Sequence, residues 1–167
     1  MSLIVIACML FVVSNVLLAQ NKYIGSAKCK MCHMSKRKQH PSWSASKHVK
    51  AFEILKGEVA LKIAKGKNIA DTSTDAKCLK CYATASAIDS KLNGRITKED
   101  GVSCETCHGP GSNYKAPIVM NKREDAINNG LIFPGEKLCL KCHNSESPTI
   151  KGFNYATSLA KTVHKKA

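Results

Sequence analysis

Residues 101–111 read GVSCETCHGPG, and the motif inside this stretch decides the fold: two cysteines two residues apart, then a histidine. The same spacing occurs in CKMCH (29–33) and CLKCH (139–143). A fourth pair, CLKCY (78–82), has a tyrosine in place of the histidine. Eight of the nine cysteines fall in these four pairs, which recur at intervals of 49, 26 and 35 residues. The unequal intervals indicate a reused motif and not a solenoid repeat.

The histidine after the second cysteine separates this pattern from other uses of paired cysteines. Disulfide frameworks and zinc ribbons also use such pairs, but neither requires an adjacent imidazole. C-x-x-C-H is the attachment signature of c-type haem, in which two thiols reach the two vinyl groups and the imidazole binds iron. The sequence therefore predicts four covalently attached haem c groups. The attachment residues are Cys29, Cys32, Cys78, Cys81, Cys104, Cys107, Cys139 and Cys142, and the proximal ligands are His33, His108 and His143.

The composition agrees with an interior that is built from cofactors. Only 5% of the 167 residues are aromatic, and much of the 44% hydrophobic content lies in residues 1–19. The rest is little material for a conventional core of a domain this size. We expect one mainly α, loop-rich domain over residues 20–167, with the porphyrins as its core.

Residues 1–19 contain no charged side chain and end in Ala19, before a polar segment. Such a run is typical of a secretory signal peptide with cleavage near Ala19, and it predicts an exported, periplasmic protein. A retained N-terminal anchor is the alternative, because the run is at the low edge of membrane-spanning length.

Helical spacing of apolar residues recurs after the leader. Residues 42–57 place His48, Phe52 and Leu55 on one stripe and predict a helix that stops at Gly57. Further helices are expected at 58–68, at 121–130, after Pro134 with the fourth motif, and at 154–164. No sheet-forming alternation stands out.

The chain is strongly basic, with 26 Lys and Arg residues against 12 Asp and Glu residues and a net charge of +14. Four haems with their propionates would lower this charge only to about +10, which leaves a surface that steers acidic molecules toward it. We expect acidic redox proteins, and not nucleic acid, as the partners.

The quoted motifs resemble the cytochrome c-554 family of tetrahaem c-type cytochromes. The match runs through GSAKCKMCH (25–33), WSASKHVKAFEILK (43–56), EDGVSCETCHGPGSNY (99–114) and CLKCHNSESPT (139–149). The resemblance implies an α-helical fold with closely stacked haems. It also implies periplasmic electron transfer, with electrons taken from an oxidoreductase such as one that acts on hydroxylamine. Related folds build cytochrome filaments, so an oligomer or a larger haem-protein complex is left open.

The distal iron ligands follow from the resemblance and from the histidine count. His48, in W-x-x-S-x-H, matches a distal ligand of the family, and His164 takes a distal role by its place near the C-terminus. Some members place a distal histidine shortly after C-H-G-P-G, but here no histidine lies between the third and fourth motifs. His40 or Met120 would substitute there. Three distal histidines would give three low-spin, bis-histidine sites; the alternatives are that His40 binds nothing and that the other two are core histidines.

Tyr82 marks the second motif as different. Its phenolate could bind iron and favour the ferric state, or it could point away and leave the iron to water or another side chain. In a third interpretation the haem is missing and Cys78 forms a disulfide with Cys81. The resemblance adds that the second haem of the family has an open sixth position.

An electron carrier with three His-ligated haems and one Tyr-ligated haem is the leading function. The alternative is an enzyme that binds or reduces nitric oxide, hydroxylamine or peroxide at the Tyr82 haem.

Overall fold

A computed structural model describes residues 20–35, 38–84, 94–150 and 152–164. Within these ranges the chain forms short helices and no strand, as the sequence predicts for a mainly α, loop-rich fold. The helices are α1 (Ser26–His33), α2 (Gln39–Ser44), α3 (Ala51–Ile54), α4 (Glu58–Gly66), α5 (Ala76–Tyr82), α6 (Cys104–His108), α7 (Pro117–Met120), α8 (Arg123–Asn128), α9 (Glu136–Cys139) and α10 (Tyr155–Thr162). The leader or anchor expected at 1–19 lies outside the described residues.

Three of the predicted helices are present close to their expected positions. They are α4 for 58–68, α8 for 121–130 and α10 for 154–164. Gly130, with φ at +97°, follows α8 in the left-handed region, where glycine is favoured at the end of a helix. Of the helices in the described ranges, none has the length and apolar character needed to cross a membrane.

The single helix expected over 42–57 is wrong, because turns over 45–50 separate α2 from α3. The backbone carbonyl of His48 accepts a hydrogen bond from the N–H of Val102 at 3.0 Å. The indole N–H of Trp43 donates to the carbonyl of Val102, also at 3.0 Å. These bonds tie the interruption to the segment before the third motif, so tertiary contacts override the local helical preference.

The cysteine motifs begin on helices, but the fourth motif leaves its helix early. α9 ends at Cys139, so Cys142 and His143 lie in the turns that follow. The expectation that one helix carries the whole motif is therefore wrong. The side-chain amide of Asn144 donates to the carbonyls of residues 140 and 141 at 2.8 and 3.2 Å. This side chain takes carbonyls that a continuing helix would use.

The buried protein core is small and lies next to the second motif. Phe52 and Leu55, at 1% and 3% exposed, pack with Leu79 and Ala83 of the α5 region. Tyr82 packs against the same cluster. Elsewhere in the described part of the chain, large apolar side chains are exposed, among them Met31, Val59, Leu61 and Ile118. A small aliphatic core agrees with the low aromatic content of the sequence.

Glu105 joins the third motif to the segment that precedes the first. Its side chain is 1% exposed, and its carboxylate accepts the backbone N–H groups of Ile24, Gly25 and Gly111 at 2.7 to 3.1 Å. Burial raises the pKa of Glu105, and the three N–H donors oppose that shift. Because a buried carboxylate is costly without such partners, this group fixes the two segments to each other.

Candidate haem sites

Cysteines from different motifs are neighbours in space. The neighbouring pairs are Cys29 with Cys104, Cys107 with Cys139, and Cys81 with Cys142. In the first and last pairs, the thiol of one cysteine raises the pKa of the other. Burial, and second the neighbouring thiol of Cys81, raises the pKa of Cys142 to about 12. In space the motifs therefore follow the order first, third, fourth, second, which the sequence did not predict.

The donor set fits a cofactor that brings its own metal. All eight thiols of the four motifs are free, so the disulfide between Cys78 and Cys81 that the sequence left open is not formed. In the described ranges, no three His, Cys, Asp or Glu side chains converge closely enough to hold a metal ion by themselves. A zinc ribbon needs four such ligands around one point. Paired thiols beside a single imidazole suit covalent attachment of haem instead.

Two pairs of histidine rings lie at a similar spacing, one pair edge-on and the other tilted. The ring centres of His48 and His143 are 6.0 Å apart, and those of His108 and His164 are 6.4 Å apart. Two imidazoles that bind one metal ion from opposite sides, each through a bond of about 2 Å, bring their ring centres to about 6 Å. Burial is the main cause of a lowered pKa at all four rings, and it favours the neutral imidazole that binds iron. The spacing fits His48 with the fourth motif and His164 with the third.

Hydrogen bonds orient two of the proximal histidines. Nδ1 of His108 lies 3.0 Å from the carbonyl oxygen of Ile132, and Nδ1 of His33 lies 3.0 Å from Oε1 of Gln39. Because these oxygens can only accept, each Nδ1 carries the proton and donates it. Nε2 then keeps its lone pair for a metal, which is the usual support of a metal-binding histidine. No motif in the sequence predicts either acceptor.

His40 lies in a different environment. Its ring packs edge-on against Trp43, with the ring centres 5.2 Å apart. Burial lowers the pKa of His40, and the nearby charges of Lys30 and His33 add to the shift. Its Nδ1 is buried without a hydrogen-bond partner among the described residues, as is Nδ1 of His164. His40 is thus near the first motif, but in the described part of the chain no second histidine ring lies about 6 Å from it, as in the two pairs above.

A cavity of about 260 Å³ lies beside the second motif. Cys78, Cys81 and Tyr82 form one side of it, and apolar side chains of α4 such as Ile63 form another. No histidine is among the residues that line this cavity. Both thiols therefore open onto an apolar space, as haem attachment requires, and Tyr82 is placed where the other motifs carry their imidazole.

A second cavity, of about 370 Å³, lies beside the first motif. The residues that border it include Ile24, Cys29, Cys32, His33, Tyr114 and Met120. Here too both thiols and the proximal imidazole open onto one space, which fits an attached haem.

The family of cytochrome c554 and c-prime matches residues 28–109, a range that contains the first three motifs and Tyr82. Cytochrome c-554 of Nitrosomonas europaea is 32% identical to this chain over 157 aligned residues. The chain belongs to the cytochrome c-554 family. The alignment covers 81% of the chain, which spans 64% of the length of that relative. No solved structure matches the chain.

Membership in the cytochrome c-554 family implies covalently bound haem c, in agreement with the C-x-x-C motifs. The contacts that support the sites were harder to foresee. Gln39, Ile132 and Glu105 orient or anchor the motifs through bonds between segments far apart in sequence. Of these three residues, only Glu105 could have been noticed in the sequence, because it is a charged residue between the two cysteines of a motif and would need hydrogen-bond partners if that motif were buried.

Proposed function

We propose that this chain is a tetrahaem c-type cytochrome that relays electrons between periplasmic redox proteins. The observation that carries the proposal is the proximity of cysteines across motifs, such as Cys29 to Cys104 and Cys81 to Cys142. Attachment sites this close would hold their cofactors close together. Bound haem supplies one-electron chemistry at its iron.

The cysteines would make the attachment without an external oxidant. Each thiol would add across one vinyl double bond, its sulfur bonding to one carbon and its proton passing to the neighbouring carbon. Two thiols on one helical turn would hold the ring at two points, and the imidazole that follows them in sequence would then be near enough to bind the metal. The second motif has the same pair of thiols and an apolar cavity, which supports a fourth attachment there.

The paired histidines support a transfer function over a catalytic one. His48 with His143, and His108 with His164, would each occupy both axial positions of one iron. Two neutral imidazoles on one iron would leave no position for a small substrate. Both imidazoles would also stay bound in either oxidation state of the iron, which suits electron transfer.

An acidic redox protein would dock near the second motif. Lys67 and Lys77 border the cavity there, and Lys62 and Lys65 are exposed on the adjoining helix α4. Lys80 is the exception, because it pairs with Glu146 at 2.7 Å. A cluster of one sign steers a partner of the opposite sign and raises the rate of encounter. An oxidoreductase that acts on hydroxylamine is the donor class that the family resemblance favours.

The cavity at Tyr82 favours a second candidate function. Because no histidine lines it, an axial position there would stay open to a small nitrogen or oxygen species. Thr72 and Asn144, which also border the cavity, could hydrogen-bond such a ligand. In that case the chain would be an enzyme, with the other three sites supplying electrons.

Stepwise reduction of the oxidised holoprotein tests the relay. Four electrons per chain, taken up without consumption of nitric oxide, hydroxylamine or peroxide, is the result we expect. Fewer electrons would contradict four haems. Turnover of one of those compounds that stops in the variant Tyr82→Phe would favour the enzyme. The variant Tyr155→Phe is the matched control, since Tyr155 is on α10, outside the motifs.

A further inference from the structure

A thioether shares the cavity of the first motif with the proximal imidazole. His33 borders this space from α1, and Met120 borders it from the end of α7. Met120 is partly buried, whereas Met31 is 74% exposed. The thioether of methionine is one of the few groups that haem iron accepts opposite a histidine.

The other donor groups on the cavity are less suitable. The hydroxyl of Tyr114 donates to the carbonyl of Gly109 at 2.8 Å, which holds it away from a metal. Lys28 and Lys115 end in ammonium groups, which have no lone pair. The side-chain oxygen of Asn121 suits harder ions such as Mg²⁺.

His40, the other candidate from the sequence, does not border the cavity. Gln39 accepts the Nδ1 proton of His33, and it therefore stands at the edge of the ring that faces away from Nε2. His40 follows Gln39 on α2 and packs against Trp43. A ligand opposite His33 must approach from the Nε2 side. The start of α2 lies on the Nδ1 side of the His33 ring. Met120 is therefore better placed than His40 to bind a metal held by Nε2 of His33.

Hydrogen bonds hold Met120 in register with the third motif. Its N–H donates to the carbonyl of Ala116 at 2.9 Å, and the N–H of Lys115 donates to that of Gly111 at 3.0 Å. Gly111 in turn donates to the buried carboxylate of Glu105 at 2.7 Å. Glu105 also binds the segment before the first motif, so both sides of the cavity share one anchor.

We propose that Met120 is the sixth ligand of the iron at the first motif, opposite His33. The inference rests on the proposed attachment of haem to Cys29 and Cys32. A thioether in place of a second imidazole raises the reduction potential of a haem. The first motif, at one end of the spatial order, then holds the most easily reduced site. A Tyr82 phenolate at the other end would favour ferric iron, so electrons would run from the second motif to the first.

The test uses the variant Met120→Leu, which nearly conserves volume, in the full holoprotein. The ferric wild type should show the weak red charge-transfer band of a sulfur–iron bond, and the reduced protein a strongly upfield methionine methyl resonance. Both signals should be lost in Met120→Leu and kept in Met31→Leu, Met34→Leu and His40→Ala. The highest reduction potential should fall in Met120→Leu alone.

A second variant keeps the test decisive if leucine prevents folding. Met120→His should lose both sulfur signals, stay low-spin and lower the highest potential. Absence of both signals from the wild type, or their loss in His40→Ala, would overturn the inference. The mass of the proteolytic fragment with Cys29 and Cys32 distinguishes a failure of haem attachment from a failure of the Met120 ligand. A fragment without haem overturns the proposed attachment as well, whereas a loaded fragment with no sulfur signal overturns only the role of Met120.

Discussion

The ring centre of His48 lies 6.0 Å from that of His143, with the two planes inclined at 72°, although one residue belongs to the turns after α2 and the other to the fourth motif. Phe153 stacks on the same His143 ring at 4.8 Å and restricts its rotation. A ring held in this way is preorganised for a metal on the side that His48 faces. We therefore propose that these two residues bind one iron, as the proximal and distal ligands of the fourth site.

Removing the distal ring should open that site. In His48→Ala, one of the low-spin ferric signals in the electron paramagnetic resonance spectrum should be replaced by a high-spin signal. The reduced protein should then bind carbon monoxide at one additional site. The matched control is His40→Ala, which should leave the low-spin signals unchanged. If His48→Ala keeps every low-spin signal, His48 does not bind iron.

Tyr82 should determine the spectrum of the second site. A phenolate on ferric iron gives a high-spin signal that differs from those of imidazole-bound haems. Tyr82→His should convert this signal and raise the potential of one haem, and Tyr82→Phe should remove the phenolate signature without an added imidazole. A wild-type spectrum with low-spin signals alone would argue against an open second site, and identical spectra for all three proteins would show that Tyr82 does not touch iron.

Glu105 should stabilise the fold through its three backbone partners. Glu105→Gln leaves one side-chain oxygen to accept and turns an NH₂ group toward the remaining N–H donors. Loss of a charged acceptor in a buried site costs about 1–3 kcal/mol of unfolding free energy. Denaturant titration of the holoprotein measures this loss. Glu124→Gln is the control, since Glu124 is exposed on α8 and its change should lie within about 0.5 kcal/mol of zero.

The lysines beside the second cavity should control the rate of docking. The double variant Lys65→Glu and Lys67→Glu should slow electron uptake from a reduced acidic ferredoxin by about tenfold at low ionic strength. The difference should shrink at high salt, because screening removes the attraction between exposed charges. Lys161→Glu, at an exposed position of α10, should change the rate much less. Equal rates for all variants at low salt would place the docking face elsewhere.

Local chemistry explains which features the sequence could predict. A C-x-x-C-H motif contains both thiols and the proximal imidazole within five consecutive residues, so the sequence alone predicts haem attachment there. Helices such as α4 carry their own apolar stripe and end at their own glycine, so they too were predictable. In both cases the decisive contacts lie between residues close in sequence.

Contacts between distant segments explain what the sequence did not predict. The break after α2 depends on Val102, and the early end of α9 depends on the Asn144 side chain. The spatial order of the motifs depends on cysteines that meet only after folding, such as Cys29 and Cys104. The periodicity of apolar residues along the chain does not predict which cysteines become neighbours. The choice of Met120 over His40 likewise required the position of Gln39.

The central claim is that all four cysteine pairs, including the one followed by Tyr82, hold a covalent haem. Intact mass of the protein, purified from a host that matures c-type cytochromes, tests this claim most directly. We predict a mass that exceeds the processed polypeptide by four haems, and by three haems in the variant Cys78→Ser, Cys81→Ser. A wild-type mass with only three haems, unchanged in that variant, would contradict the account of the second site.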